Sequence, residues 1–592
     1  MAQISDIVTW TVGKHQIRFG VDYRRAYIDL YYNFGGRGTF GFGTGGVLGP
    51  WAGDKTVTDP NVQNLADFMA GYAFHPSITL GVQERFIYTH TGTAFAQDTW
   101  QLTPKLSLNL GLRYDYEEPF YTNPPNSSIF DPSNGGLLVA GSGGTAPQYI
   151  YDSNKLNVSP RVGLSYQVLP STVVRANYGI YYDQPAGQAF YGNLGVSNGG
   201  ANGVNNNPAG SQPNYSIVLG AYDKATGPVW TPNQTTPIFT PALGEPTGDN
   251  VVSVYSVDRN YKTAYTDLYG VNIEQSMGKS WILDVGYAGS ASKHNLSLQD
   301  VNRSGLGLDS STGTVTVGSN TFSAQQASRP FFSKFPNIGI VNQVNSNSGS
   351  NFNALQVTLK SSTWHGLSSQ FAYAWSHNID DASGFYTAPQ NSFNLKGDKG
   401  NAALDIRNHF ASYLNYAIPT LKAGPKALTS GWEVNSVLKF QDGEPVNVVT
   451  GADNSGTTEY QDRANITGPA INSDRSVQSH SFAQYLNPNS FVVPTYGTYG
   501  NLRRNQIYGP GFEDVDISLL KNIPIYKERV RAQFRVEMFN VFNRTNLAQP
   551  LNSLGYGSAF GWSTSTIGVA NGTPGIGSGE PYNTQLALKI IF

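Results

Sequence analysis

"TPKLSLNLGLRYDYEEP", Thr103 to Pro119, alternates through almost its whole length. Leu106, Leu108, Leu110, Leu112, Tyr114 and Tyr116 fall on one side of an extended chain. Lys105, Ser107, Asn109, Gly111, Arg113 and Asp115 fall on the other. In a soluble sandwich the leucines would line a core. In an outer-membrane barrel they would face lipid, and the polar row would line the lumen. The strand is about 12 residues long, against a usual length of about 5–6. At about 3.3 Å per residue and a tilt of about 40° it projects to about 30 Å, the thickness of a bilayer's hydrocarbon core. Trp100 stands near the preceding turn, and Tyr114, Tyr116 and Phe120 stand at the far end. Aromatics bracketing an aliphatic band mark the two interfaces of a membrane barrel, so Trp100, Tyr114 and Tyr116 are expected lipid-interface aromatics.

The composition agrees. Only 13% of the 592 residues are charged and 39% are hydrophobic, while 65 Gly, 35 Tyr and neutral polar residues fill the difference. An aromatic fraction of 12% and a net charge of −2 exclude the signature of disorder. No basic domain suggests nucleic acid as a partner. With no Cys there is no disulfide framework and no thiolate chemistry. No run of 18 apolar residues exists, which excludes a transmembrane helix and leaves a barrel open. The start, "MAQISDIVTWTVGKHQ", has no basic segment followed by an apolar run, so it does not read as a secretory signal.

Outward from the opening stretch, alternating segments come in pairs. They run over 4–12 and 16–25, 86–100 and the opening strand, 158–168 and 172–183, 264–277 and 281–290, 351–361 and 367–378, 404–418 and 431–441, 512–523 and 528–541, and finally 583–592. Each pair is joined by a short connection and separated from the next by a long Gly/Asn/Ser/Pro-rich stretch. Helical patterning is nearly absent: 61–73 predicts a turn or two. The expected fold is all-β, an antiparallel transmembrane β-barrel of about 15 strands with short periplasmic turns and long outer loops. First and last strands both run inward. An odd count with that polarity does not make a complete bacterial barrel, whose strand number is even.

Several segments resemble the barrel of TonB-dependent outer-membrane receptors, and the Oar-like group in particular. They include "GKHQIRFGVDYRR" (13–25), "AFAQDTWQLTPKLSLNLGLRYDYEEP" (94–119), "SPRVGLSYQV" (159–168), "AYAWSHNIDDASG" (372–384), "LDIRNHF" (404–410), "GWEVNSVLKFQDGEPVNVVTG" (431–451), "GPGFEDVDISLLKNIPI" (509–525) and "RAQFRVEMFNVFNRTNL" (531–547). The closing strand, Leu586, Leu588, Ile590 and Phe592, resembles the terminal strand that barrel-assembly machinery reads. Together the matches span most of the chain. The resemblance implies a 22-strand barrel around an N-terminal plug, energised through a TonB box. No TonB box, plug or leading sandwich domain is visible in the sequence. Residues 1–592 are therefore expected to be one incomplete barrel domain, with the opening stretch its fourth strand here and about the eleventh of the intact barrel.

Other motifs carry candidate chemistry. Arg113, Asp115, Arg175 and Asp183 fall on the lumen face, where they could touch a plug or pair with each other. The acid pairs Glu117–Glu118 and Asp380–Asp381 sit where strands enter outer loops and are expected to be solvated loop ends, not an acid/base pair. "ADNSGTTEYQD" (452–462) offers oxygen ligands without the EF-hand spacing. His15 in a turn, His75 in a loop and His90 in a strand form no metal-ligand pattern. No phosphate loop is present, "FGGRGTFGFGTGG" (34–46) opening no helix. No catalytic residue, cofactor or metal site is expected. Loops 184–263 and 442–511, with Tyr191, Tyr222 and Trp230, either bind ligand or fold over one another as a cap.

The expected function is that of a bacterial outer-membrane, TonB-dependent receptor barrel. It would take up a bulky nutrient such as an oligosaccharide, peptide or metal chelate. Its partners would be outer-membrane lipid, the assembly machinery and, only through the missing plug region, TonB. A passive porin-like channel and a secreted glycan-binding β-protein are the alternatives.

Overall fold

The computed structural model describes residues 1–31, 39–41, 59–70, 74–80, 84–123, 128–131, 136–139, 149, 151–184, 204–209, 212–218, 239–240, 245–246, 251–384, 388–420, 424–475, 483–526, 530–572 and 579–592. One sheet of 18 strands dominates them. Three of its strands, Tyr121–Thr122, Val252–Val257 and Gly400–Asn401, are short additions. The other fifteen follow one another in space as they do in sequence. They are β1 (Ala2–Val12), β2 (His15–Tyr31), β3 (Glu84–Thr103), β4 (Leu106–Glu117), β5 (Asn157–Leu169), β6 (Thr172–Tyr182), β7 (Tyr265–Met277) and β8 (Trp281–Asp300). Next come β9 (Ile338–Trp364), β10 (Leu367–Asp380), β11 (Asn408–Ala417), β12 (Trp432–Gln441), β13 (Phe512–Tyr526), β14 (Val530–Phe539) and β15 (Asn583–Ile591). Each pairs antiparallel with its successor. The described residues contain no plug domain.

Short turns close one end of the hairpins. His365 and Gly366, with φ of 51° and 87°, make the turn between β9 and β10, the left-handed pair that matches the twist of a two-residue hairpin. A Cβ on Gly366 would stand 2.7 Å from the Ala417 carbonyl, so this position holds only glycine. The long connections all emerge at the opposite end.

The register answers the question raised by the opening stretch. Opposite residues share a face, so a row can be followed strand by strand. It runs His15–Trp100–Leu108–Leu164–Ala176–Val271–Tyr287–Leu355–Trp375–Asn408. All ten side chains lie on one side of the sheet, and most are apolar. That side is bare: Leu112 is 55% exposed, Trp10 57% and Leu588 70%. Among the described residues no second layer covers the leucines.

The same row gives the strand tilt. It starts beside the turn on β2 and ends at the loop end of β11, nine residues from Ala417 at the other end of that strand. Nine sideways steps of about 4.8 Å against a climb of about 30 Å give a tilt of about 35°, the value of a membrane barrel.

The buried core lies elsewhere. Val446, Val448, Ala464, Tyr485, Leu486, Phe491, Leu502, Ile507 and Phe560 cluster together, all from the long connections after β12 and β14. The described part of the 442–511 connection therefore folds on itself and on Phe560. Strands β8 and β9 reach up to it, pairing as far as Asp300 and Asn342, with Val252–Val257 added alongside β9 in parallel.

Three local expectations change. The helix spans Pro60–Ala70, 11 residues and so about three turns rather than one or two. His75 lies in a short strand, Phe74–Leu80, not a loop. His15 is the first residue of β2, not part of the turn.

Substitution on the two faces of β4 should differ sharply. Leu112→Arg is expected to cost about 2–4 kcal/mol, the cost of an arginine at mid-depth on a lipid face. Asn109→Arg on the polar face should cost about 1 kcal/mol, the worth of the bond it receives from Thr99. Chemical unfolding from bilayers measures both.

Candidate functional site

The polar face of the sheet carries charges that neutralise one another. Arg113 reaches Asp115 at 2.7 Å, two residues along the same strand and so on the same side, and Thr93 also donates to Asp115. Arg175 pairs across strands with Glu274 at 3.0 Å, and Arg535 lies 3.4 Å from Glu537. The Arg161 guanidinium lies 4.3 Å from the ring centre of Tyr181. Asp183 accepts from the amide of Gln184, its neighbour in the chain.

The apolar face carries charged side chains as well, Asp98 and Asp267 among them. Asp98, opposite Leu110, accepts from or shares a proton with His15 at 2.7 Å. The Trp100 ring stacks on that imidazole at 5.2 Å. Tyr114 and Tyr116 lie on the same face as Trp100, and the Tyr114 hydroxyl donates to the Lys155 carbonyl at 3.0 Å.

Beyond the strands, the connections 301–337, 381–407, 442–511 and 540–582 form a folded cap. Small two-residue ladders knit it, Pro445–Val446 with Ile507–Tyr508 and Ala483–Gln484 with Trp562–Ser563 among them. Buried ion pairs pin it. Asp380 at the loop end of β10 pairs with Arg504, and Asp398 pairs with Arg463. Asp300 at the loop end of β8 lies 3.6 Å from Arg329. Asp380 is thus a buried partner of an arginine 124 residues away, not a solvated loop end. Its neighbour Asp381 accepts from the Ser348 hydroxyl and the Gly349 amide.

The acids of 452–462 are used in the same way. Asp453 accepts from the amides of Thr457 and Thr458 at 3.0 and 2.9 Å, and Asp462 accepts from the Ser455 amide. Glu459 accepts from the Ser392 amide at 2.7 Å and stands 3.8 Å from Arg303. Its side chain is 2% exposed, and burial pushes its carboxyl up to about 8. Burial also lowers the Arg329 guanidinium from its usual range. Among the described residues no three metal-ligating side chains come together.

A polar cavity of about 280 Å³ opens in the cap, lined by Gln390, Asn394, Asp398, Arg463, Tyr499 and Arg503. No spacing in the sequence marks these residues, because their contacts join segments 39 to 73 residues apart. Tyr191, Tyr222 and Trp230 lie outside the described residues. The described residues of 442–511 contribute to a buried core.

The family model described as outer membrane beta barrel domain matches residues 1–571. The chain belongs to that family. It is an outer-membrane β-barrel protein, with its apolar face toward lipid and its polar face toward the lumen. No curated protein sequence matches it. Among solved structures, the outer-membrane transporter YddB from Escherichia coli superposes with a TM-score of 0.45 at 10% identity, over 99% of this chain and 53% of that one. The apoprotein FrpB iron transporter from Neisseria meningitidis gives 0.43 at 12%, over 100% and 55%. The copper transporter OprC gives 0.42 at 11%, over 99% and 57%. The chain spans about half the length of these structures.

Glu459 makes the cap pH-sensitive. Its acid is raised from 4.5 to about 8 on folding, so the folded state holds the extra proton between those values. Its contribution is then full below about 4.5 and lost as pH rises through 8. Limited proteolysis of 442–511 should accelerate between pH 6 and 8.5 beyond the protease's own pH dependence. Glu459→Gln should flatten that excess.

Proposed function

We propose that this barrel belongs to a TonB-dependent receptor that takes up a bulky nutrient, an oligosaccharide, peptide or metal chelate, and that these strands do not transport alone. One observation carries the reading: β1 and β15 run in the same direction. Direct closure of β1 on β15 would need a parallel pair, whereas every successive pair in the ladder is antiparallel. Among the described residues neither strand has a partner on its outer edge. An odd number of further antiparallel strands satisfies both edges, and seven would complete the 22 of the resembling receptors. A passive porin would need a ring that closes by itself.

The reading extends to particular residues. Trp100 marks the inner membrane interface, and Tyr114 and Tyr116 the outer one. Leu586, Leu588, Ile590 and Phe592 form the strand that the assembly machinery recognises. The first three lie on the lipid-facing register and all four are exposed. The folded cap supports ligand recognition at the outer mouth, with the cavity beside Tyr499 one of its recesses.

Two measurements test this. Reconstituted in a planar bilayer, the chain should show no steady unitary conductance. Stable pores of uniform size would favour the passive channel. Phe592→Ser should lower outer-membrane levels several-fold while leaving the amount synthesised unchanged, and unaltered levels would remove the assembly reading of the last strand.

A further inference from the structure

A second recess, of about 620 Å³, lies at the outer rim where β8, β9 and β10 leave the membrane. Lys262, Lys293 and His294 line it, together with Asp258, Gly349 and Asp381. Its side of the sheet follows from the register. Lys293 lies opposite Tyr265 and Gly349, on the face that carries Val271, Ile273 and Leu355. It therefore looks toward lipid, not into the lumen. Its height follows too. Lys293 is twelve residues above Trp281 at the turn, which at a tilt of about 35° is about 32 Å, just beyond an apolar band about 25 Å tall. That is the level of lipid headgroups.

The chemistry is specific. Lys262 and Lys293 are both exposed. The Lys293 ammonium lies 5.6 Å from the Tyr265 ring centre, and neither lysine has an ion-pair partner among the described residues. A β-bulge separates Lys293 from Asn295, and His294 at its centre takes a φ of 61°. For a residue other than glycine that is a costly backbone state, of the kind that re-aims a side chain. Its imidazole lies 3.1 Å from the Ser346 carbonyl. Two ammonium groups and an imidazole suit phosphate. Asp258 and Asp381, beside them, suit sugar hydroxyls as donors. We propose that this recess binds the phosphorylated saccharide headgroup of the outer-leaflet glycolipid.

The full chain, folded in detergent and stripped of lipid, tests this by calorimetric titration. The probes are lipopolysaccharide, the same glycolipid with its phosphates removed, and inorganic phosphate. Lipopolysaccharide should bind about thirtyfold tighter than the dephosphorylated form, the worth of two lysines near an anionic surface. Lys262→Gln/Lys293→Gln should abolish that difference, and each single change should reduce it by about fivefold. Lys360→Gln, on the lumen face, should leave it intact. Heat-modifiable migration confirms that each variant is folded. Equal binding of the two glycolipids, an unaltered double variant, or inorganic phosphate binding as tightly as the lipid would each overturn the proposal.

Discussion

In hydrocarbon a backbone amide has no partner except another stretch of backbone. The rest of this structure depends on that constraint. It explains why fifteen long strands form one uninterrupted antiparallel ladder, and why consecutive strands are neighbours. Once the ladder exists, register does the sorting. Because side chains alternate with a period of two, a single slip on any strand would turn arginines such as Arg113 and Arg175 toward lipid. The row from His15 to Asn408 stays on one face through nine pairings. Carboxylates on that face include Asp98, held by His15 and covered by Trp100, and Asp267, which accepts from the Tyr178 hydroxyl. The same constraint makes the outer edges of β1 and β15 costly in lipid.

Outside the membrane a different solvent imposes a different solution. Water drives apolar side chains together there, so the cap has the soluble-style core that the sheet lacks, with Val448, Ala464 and Leu486 fully buried. Ion pairs join cap to strands. Losing one partner of a buried pair costs about 3–5 kcal/mol because the other charge stays behind. Asp380–Arg504 and Asp300–Arg329 act at strand ends in this way, making the loop geometry depend on the ends of β10 and β8.

Much of the sheet could be read in advance because lipid and lumen force a local pattern. Leu106 to Tyr116 alternate with residues next to them in the chain, so no distant contact was needed to find the strand. The same holds for each of the fifteen, although β8 and β9 run well past the alternating stretches, to Asp300 and back to Ile338. Those extensions are clothed by other segments, and their sequence loses its period. The cap was illegible for the same reason. Asp380 looked like a solvated loop end because its partner, Arg504, is remote in sequence. Glu459 stands in a string of oxygen ligands, yet Asp453 and Asp462 cap local amides and its own carboxylate accepts from the remote Ser392 amide. The lysines of the rim recess carry no local signal either: Lys262 and Lys293 reach it from separate segments.

Which face of β4 meets lipid is the central claim. The chain has no cysteine, so single nitroxide labels can be placed without background. Labels at residues 109 and 110, in protein reconstituted in bilayers, should report opposite surroundings. At position 110 relaxation should be dominated by oxygen, which partitions into hydrocarbon, and at 109 by a water-soluble nickel chelate. Equal access of the chelate to both positions, or the reverse assignment, would contradict the membrane-facing register.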